Sequence, residues 1–229
     1  MDRTDELRWK LKTPRAAAVA GILFSSLTIG SHLLIRSSVP ANPFAPSGEL
    51  LSHSGSLLLA LNLIPFAGIS FLWFIGVFRD HLGEYEDRLF ATVFFGSGLL
   101  YVAMLFASAA LAGGLLTEMS RDGANLVRSG SYTLGRAEIR QITIVYGIRM
   151  AGVFIITAST IALRTRVMPR WLALLGYMAA LVLLLGVGAW DWTPLLFPSW
   201  VFIISIWILT QRFRRQSRSN RKVEQRFQT

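Results

Sequence analysis

Six long apolar segments, separated by shorter polar ones, constrain this sequence more than any other feature. They cover Ala16–Ile35, Leu57–Phe78, Leu89–Thr117, Ile142–Leu163, Trp171–Trp190 and Pro194–Gln211. A helix of about 20 apolar residues crosses a hydrocarbon layer of ~30 Å, and a helix pairs its own backbone groups in lipid. The sequence therefore predicts an all-α, polytopic transmembrane bundle of six helices over residues 16–211.

The composition supports this membrane assignment and argues against several kinds of site. Hydrophobic residues make up 53% of the 229 positions and charged residues only 16%, a ratio that a soluble domain does not need. There is no cysteine, which excludes thiolate nucleophiles and cysteine-ligated metals. Phosphate-binding glycine loops and G-x-S-x-G elbows are absent from the sequence as well. We therefore expect no cofactor and lean against an enzyme.

The positions of lysine and arginine predict the orientation of the bundle. Most of the 23 basic residues fall before the first span, after the last span and in the loops on that same side. Because cytoplasmic loops carry the excess of these residues, residues 1–15 and the basic tail 212–229 are both predicted to be cytoplasmic. Anionic lipid headgroups are their expected partners, and this orientation accounts for the net charge of +10 without nucleic acid.

A short motif, RVMPRWLALLG, leads into the predicted fifth span at Arg166–Gly176. Pro169 suits the start of a helix, Arg170 the inner headgroups, and Trp171 the aromatic belt. The motif and the six-span layout resemble uncharacterised bacterial multi-span membrane proteins grouped as domains of unknown function. This resemblance implies a protein of the bacterial inner membrane, and it carries no catalytic residue to this chain.

One arginine stands well inside a predicted span. Arg149 follows the start of the fourth span, Ile142, by seven residues, which places it about 10 Å along the helix. In a regular helix Tyr146, Thr157 and Thr160 lie within the same arc as Arg149, which predicts a polar stripe along one side. These four residues are the predicted site for a ligand or a lipid headgroup.

An arginine at this depth needs a partner. Acidic candidates occur only at the ends of spans, at Glu49, Glu118 and Asp191, and backbone carbonyls or an anionic ligand are further candidates. Three interpretations stay open. Arg149 extends to the outer headgroups, contacts a ligand or lipid, or forms an internal hydrogen-bonded hub.

Two weaker patterns complete the set of candidate sites. His32 and His53 fall near the predicted outer face, where they could supply nitrogen ligands to a metal, but no H-E-x-x-H or similar spacing supports a site. Small residues four apart on the third span predict a helix-packing face, formed by Ala103, Ala107, Ala109, Gly113, Ala110 and Gly114. That face could pack inside the bundle, or against a second copy or another membrane protein.

Three functional hypotheses follow from these patterns. The first is a non-enzymatic membrane protein that acts by binding, as an accessory or assembly subunit of a membrane complex or as a lipid-contacting helper. The alternative is a small transporter or channel for an anionic or amphipathic solute, lined by the Arg149 stripe. The third is a membrane enzyme with an outer metal site at His32 and His53.

Overall fold

The computed structural model describes residues 3–39, 52–82, 88–165, 168–186 and 192–227. Within these ranges nearly every residue is helical, and no strand is present. We number the α-helices α1 to α7 along the chain: Arg3–Ser38, Ser54–Leu82, Arg88–Arg128, Ser131–Arg140, Ile148–Thr165, Arg170–Leu185 and Thr193–Phe227. The prediction of an all-α chain is therefore confirmed for the described residues.

A π-helical segment, Gln141–Gly147, joins α4 to α5 without a break. Residues 131–165 consequently form one continuous helical stretch. This stretch begins before the predicted start of the fourth span at Ile142, because the polar residues of α4 pack beside α3. Tyr132 of α4 is buried there with Leu116 and Met119 of α3.

Five helical stretches are long and apolar enough to cross a membrane, which supports a multi-pass membrane protein. They are Arg15–Ser38, Ser54–Val77, Leu89–Arg128, Ser131–Thr165 and Thr193–Gln211. The predicted fifth span, Trp171–Trp190, corresponds to α6, which has only 16 residues, fewer than the roughly 20 that a crossing needs. Residues 187–191 lie outside the described ranges, so the prediction of six full spans is not confirmed.

A group of aromatic rings occupies the centre of the bundle, with one ring from each of five helices. This aromatic cluster consists of Phe24, Phe71, Tyr101, Phe154 and Phe197. The ring centroids of Phe24 and Phe71 lie 4.5 Å apart, and those of Tyr101 and Phe197 lie 4.6 Å apart. Each such pair contributes about 0.5–1.5 kcal/mol beyond the burial of its surface, so the cluster ties α1, α2, α3, α5 and α7 together.

The short helix α6 packs mainly against α5 and α7, and a glycine permits the close approach. A methyl group added at Gly176 would collide with Ser159 Oγ and would lie 3.0 Å from Trp200 Nε1. Small residues allow helix backbones to approach closely where lipid supplies no hydrophobic driving force. Gly176 therefore fixes the position of α6.

Replacing this glycine should loosen the bundle. We expect Gly176→Ala to lower the free energy of unfolding by about 1–3 kcal/mol, because the added methyl group overpacks a filled interface. Thermal unfolding of the purified protein in detergent measures the effect. Gly96→Ala is the matched control, since a methyl group there meets no atom within 4 Å. Equal melting temperatures for the two variants would contradict this account of α6.

Candidate functional site

The packing of α4 against α3 determines how far along the bundle each side chain of α4 lies. A methyl group at Gly135 would lie 3.0 Å from Leu115 Cδ1, and one at Gly147 would lie 3.5 Å from Met104 Cβ. The two helices therefore run antiparallel, and α4 enters the bundle as α3 leaves it. Arg136 and Arg140 lie between these two contacts along the helical stretch, so both residues lie beside α3.

A cavity of about 630 Å³ lies among α1, α2, α3, α4 and the π segment. Its volume lies within the range of roughly 300–1,000 Å³ that is usual for small-molecule sites. Tyr101 of the aromatic cluster lines its inner end. Leu57, Leu116 and Tyr132 line its other end, where they form a smaller apolar group. The cavity thus extends from one end of the bundle towards its centre.

Helix α1 supplies one polar wall of the cavity. Thr28, Ser31, His32 and Arg36 all line it, and their spacing of three and four residues places them on one helical face. The Arg36 guanidinium also lies 4.4 Å from the centroid of the Trp192 ring. That stacking holds the cation at the outer end of the wall.

Helix α4 and the π segment supply the opposite polar wall. Tyr132, Arg136, Arg140 and Thr143 line the cavity at the same kind of spacing. Arg136 Nη1 donates a hydrogen bond of 3.2 Å to the Tyr132 hydroxyl, and its guanidinium lies 5.6 Å from the centroid of that ring. This wall therefore presents two guanidinium groups, one helical turn apart.

The walls that α2 and α3 supply are mostly apolar. Helices α2 and α3 contribute Leu61, Ile64, Ala67, Leu105, Ala109 and Ala112 to the lining. Among the described residues that line the cavity there are three arginines and no aspartate or glutamate. The cavity is therefore both amphipathic and cationic.

Part of the polar lining belongs to a helical stretch that is long and apolar enough to cross a membrane. Ser31 and His32 are about 8 Å from the middle of the span Arg15–Ser38 at 1.5 Å per residue, whereas half of a hydrocarbon layer is ~15 Å. Ionisable residues at this depth are costly unless they face a cavity or a partner.

Three polar atoms on the α1 wall have no hydrogen-bond partner within the described part of the chain. They are Thr28 Oγ1, Ser31 Oγ and His32 Nε2, and all three atoms are buried. An unpaired buried polar group costs about 1–3 kcal/mol. Ser25 and Thr157 avoid this cost by bonding to carbonyls in their own helices, whereas the Oγ atoms of Ser38, Ser159 and Ser205 are also buried without a partner.

The structure places Arg149 outside this cavity. The residue is exposed, and its Nη1 donates a hydrogen bond of 3.1 Å to the Val145 carbonyl oxygen. Tyr146 is exposed as well, at 59% of its surface. Thr157 is buried, and Thr160 Oγ1 lies 2.7 Å from the Tyr177 hydroxyl. None of the four residues lines the cavity. Tyr146 and Arg149 are on the exposed side of the predicted stripe, and Thr157 and Thr160 are on its packed side.

Helix geometry explains why the stripe divides. The four residues span an arc of about 80° in a regular helix, which is wide enough to cross the boundary between the packed and the outer sides of α5. Tyr146 lies in the π segment, where i→i+5 hydrogen bonds change the rotation per residue. A prediction based on a uniform α-helix does not hold across that junction.

The predicted acidic partners are not seen beside Arg149. Glu118 forms an ion pair of 3.4 Å with Arg121 on the exposed surface of α3. Glu49 and Asp191 lie outside the described residues. A backbone carbonyl, one of the expected alternatives, is the partner that the structure shows. Contact between Arg149 and a lipid headgroup stays a prediction.

The two histidines occupy different surroundings. His32 lines the cavity, whereas His53 is exposed and its Nδ1 lies 2.9 Å from Ser52 Oγ. The described residues contain no group of three or more His, Cys, Asp or Glu side chains that could hold a metal ion. The hypothesis of a metal enzyme therefore gains no support from the described part of the chain.

The residues of the predicted helix-packing face of α3 lie in different environments. Ala103, Ala107, Ala110 and Gly114 are exposed. Ala109 lines the cavity, and a methyl group added at Gly113 would meet no atom within 4 Å. The exposed members form a strip that is available to another helix in the membrane.

Sequence reasoning missed the two arginines of α4. Arg136 and Arg140 precede the predicted fourth span, which starts at Ile142, so they were not among the candidate site residues. A usable signal was present, because Tyr132, Arg136 and Arg140 recur every four residues on one face of a helix. It becomes visible only when the helix is extended back to Ser131.

Comparisons with known proteins give no match to a protein-family model, to a curated protein or to a solved structure. The likeness of Arg166–Gly176 to bacterial six-span proteins therefore stays a prediction. The function has to be inferred from the chemistry of the cavity.

Water in this cavity can be tested by cysteine labelling, since the chain has no cysteine of its own. We expect a membrane-impermeant maleimide to modify Ala109→Cys, because Ala109 lines the cavity. The adjacent Ala110→Cys, exposed on the outer side of α3, should react far more slowly in a bilayer, where lipid surrounds it. Mass spectrometry after labelling of sealed vesicles from each side measures both rates. Faster labelling of Ala110→Cys would contradict the assignment of these two faces.

Proposed function

We propose that this protein binds an anionic amphiphile in the cavity between α1 and α4, and so acts as a non-enzymatic, lipid-contacting helper in the membrane. The observation that carries the proposal is that Arg136 and Arg140, one turn apart on α4, line a cavity beside the apolar residues of α2 and α3. With both termini cytoplasmic and the chain in a bacterial inner membrane, as the sequence predicts, the cavity would open at the outer leaflet.

The arginines supply the recognition. A guanidinium group is a rigid fork of donors that matches the oxygens of carboxylates and phosphates. Arg136 and Arg140 stand one turn apart on α4, and Arg36 stands on the opposite wall. Tyr132 and Trp192 hold two of these groups by ring contacts. The charge of Arg136 and Arg140 favours an anion beside the α4 wall.

The apolar wall fits the rest of an amphiphile. Leu61, Ile64 and Leu105 offer a surface for an acyl chain beside the charged headgroup. An acyl chain that leaves the bilayer moves between two apolar environments, so this contact adds little affinity. The headgroup therefore determines most of the binding free energy and most of the selectivity.

The packing of the helices leaves room for such a ligand. Helix α1 packs against α2 and α7, while α4 and the π segment pack against α3 and α5. The two polar walls face each other across the cavity without comparable packing between them. A bound amphiphile would supply the contacts that these walls lack.

Removing the cavity arginines should weaken lipid retention. A hydrogen bond to a charged group contributes about 1.5–3 kcal/mol, so Arg140→Gln should lower the affinity for an anionic lipid by about 10-fold to 100-fold. Adding Arg136→Gln should lower it further. Native mass spectrometry of the protein released from nanodiscs that contain phosphatidylglycerol measures the bound lipid.

Arg128→Gln is the matched control for this test, because Arg128 is exposed and does not line the cavity. It should retain anionic lipid as the unmodified protein does. Equal retention by the cavity variants and the control would contradict the proposal.

A second candidate function, as an accessory or assembly subunit, is favoured by the exposed small residues of α3. Ala107 lies at the middle of the outward strip, where small side chains let another helix approach closely. Ala107→Leu should reduce energy transfer between differently labelled copies in liposomes, or the recovery of a partner in gentle detergent. Val19→Leu, at an exposed position on α1, should change neither. Unchanged association in Ala107→Leu would count against this candidate.

Transport through the bundle remains a prediction from the sequence. Tyr101, at the inner end of the cavity, is packed against Phe24, Phe71 and Phe197. A solute would have to displace these rings to continue past the centre. Arg149 lies outside the cavity, so it would not line a transport pathway through the cavity.

A further inference from the structure

We propose a second lipid site in this protein, at the point where α6 ends beside α5. At this site Arg149 and Tyr146 bind the phosphate of a phospholipid from the surrounding bilayer. The site is separate from the cavity, because neither residue lines the cavity. The packing of α6 against α5 carries the proposal, since it accounts for the exposure of Arg149.

Two contacts show how α5 and α6 are aligned. Thr160 Oγ1 lies 2.7 Å from the Tyr177 hydroxyl. A methyl group added at Gly152 would lie 2.9 Å from Leu184 Cγ. The contact nearer the start of α5 therefore involves the residue nearer the end of α6, so the two helices run antiparallel.

Helix α6 ends just after the contact with Gly152. Its last residue is Leu185, which is 78% exposed. At 1.5 Å per residue, α6 extends only about 1.5 Å past Leu184, whereas Arg149 lies about 4.5 Å past Gly152 in the same direction. Arg149 is therefore beyond the end of α6.

Arg149 lies on the side of α5 that α6 covers further along. Arg149, Gly152, Ile156 and Thr160 follow one another at three and four residues within Ile148–Thr165, which places them on one side of a regular helix. Helix α6 contacts this side at Gly152 and Thr160. Because α6 has only 16 residues, it leaves the same side exposed at Arg149.

The guanidinium group lies within the thickness of a membrane. Arg164 stands at the other end of the stretch Ser131–Thr165, 15 residues from Arg149, or about 22 Å. With Arg164 at one edge of a ~30 Å hydrocarbon layer, Arg149 lies ~8 Å inside the other edge. The hydrogen bond from Arg149 Nη1 to the Val145 carbonyl oxygen directs the side chain towards that nearer edge.

The short α6 brings a headgroup to this depth. A helix of 16 residues spans about 24 Å, which is less than the ~30 Å of the hydrocarbon layer. A bilayer becomes thinner beside a short apolar stretch. Phosphate groups next to Leu185 therefore lie closer to the middle of the membrane, where they meet Arg149.

The exposed donors at this point suit a phosphate. A guanidinium group has five N–H donors, and its planar fork matches phosphate oxygens. An arginine that faces lipid is costly without such a partner. Tyr146, exposed three residues before Arg149, adds a hydroxyl donor. In a bilayer, the anion that an outward-facing pair of this kind meets is the phosphate of a phospholipid.

Lipid retention by the full-length protein tests the site. Native mass spectrometry of protein released from nanodiscs counts the bound phosphatidylglycerol. We expect Arg149→Gln to lower the affinity for one lipid by about 10-fold to 100-fold, and Tyr146→Phe to lower it by about 2-fold to 10-fold. The loss in Arg149→Gln should persist in a protein that also carries Arg136→Gln and Arg140→Gln, because the two sites are separate.

Arg128→Gln is the control for retention, since Arg128 is exposed and lies on another helix. Arg149 and Tyr146 are exposed, so their variants should keep the melting temperature of the unmodified protein in detergent. The two variants probe the site independently, and either one decides if the other fails to fold.

The depth of the site is tested by cysteine labelling in sealed vesicles that contain phosphatidylglycerol. A membrane-impermeant maleimide should modify Leu185→Cys much faster than Leu181→Cys, which is also exposed but lies one turn further along α6 from the site. Adding Arg149→Leu should slow the labelling of Leu185→Cys, because no cation then holds the headgroup there. Arg164→Leu, the same change at the other end of α5, should not slow it.

Excess inorganic phosphate distinguishes a lipid from a free anion. We expect it to leave the lipid at Arg149 in place, because the site lies within the bilayer. Displacement of the lipid would assign the site to free phosphate and overturn the bilayer as the source of the ligand.

Other outcomes overturn this proposal and the proposed function separately. Lipid retention and Leu185→Cys labelling that do not depend on Arg149 would overturn the second site and leave the cavity standing. Loss of self-association in Arg149→Gln with unchanged lipid retention would assign Arg149 to a protein contact and overturn it as well. Retention that depends on Arg149 but not on Arg136 and Arg140 would overturn the proposed function alone.

Discussion

The packing of α4 on α3 is the interaction on which the rest of this molecule depends. Helix α4 is polar over most of its length and would gain little from lipid by itself. It is held because Gly135 approaches Leu115 closely and because Tyr132 is buried with Leu116 and Met119. That attachment brings Arg136 and Arg140 into the bundle and creates the second polar wall. Without it, the cavity would lack the wall that α4 supplies.

The cost of those arginines determines which ligands are favourable. Charged side chains within a membrane are stabilised by water, by rings or by counter-charges. Tyr132 and Trp192 supply ring contacts to Arg136 and Arg36. The anion of the proposed function would offset the remaining cost of Arg136 and Arg140, and a low dielectric strengthens that attraction.

The sequence predicted the apolar spans well because hydropathy approximates the free energy of transferring each residue from water into lipid. The all-α fold and most of the long spans follow from that property alone. Two features depend on packing and were missed. Helix α4 is stabilised by a neighbour 20 or so residues away, and α6 ends sooner than its apolar run. For the candidate site, His32 was noticed as a weak metal ligand, while its role in lining a cavity depends on where α2 and α4 lie. Thr28 and Ser31 carry no mark in the sequence that separates them from Ser25.

Arg149 is the arginine that depth in the predicted span favoured. It is separated from Arg140 by the π segment and, unlike Arg140, does not line the cavity. The two arginines also differ in the residues that surround them. Arg140 shares its face with Tyr132, Arg136 and Thr143, whereas Arg149 stands near exposed Tyr146. The π segment lies between the two arginines and contributes Thr143 and Ile144 to the cavity. Because such segments recur at functional sites, its position on the cavity wall agrees with the arginines of α4, and not Arg149, as the centre of recognition.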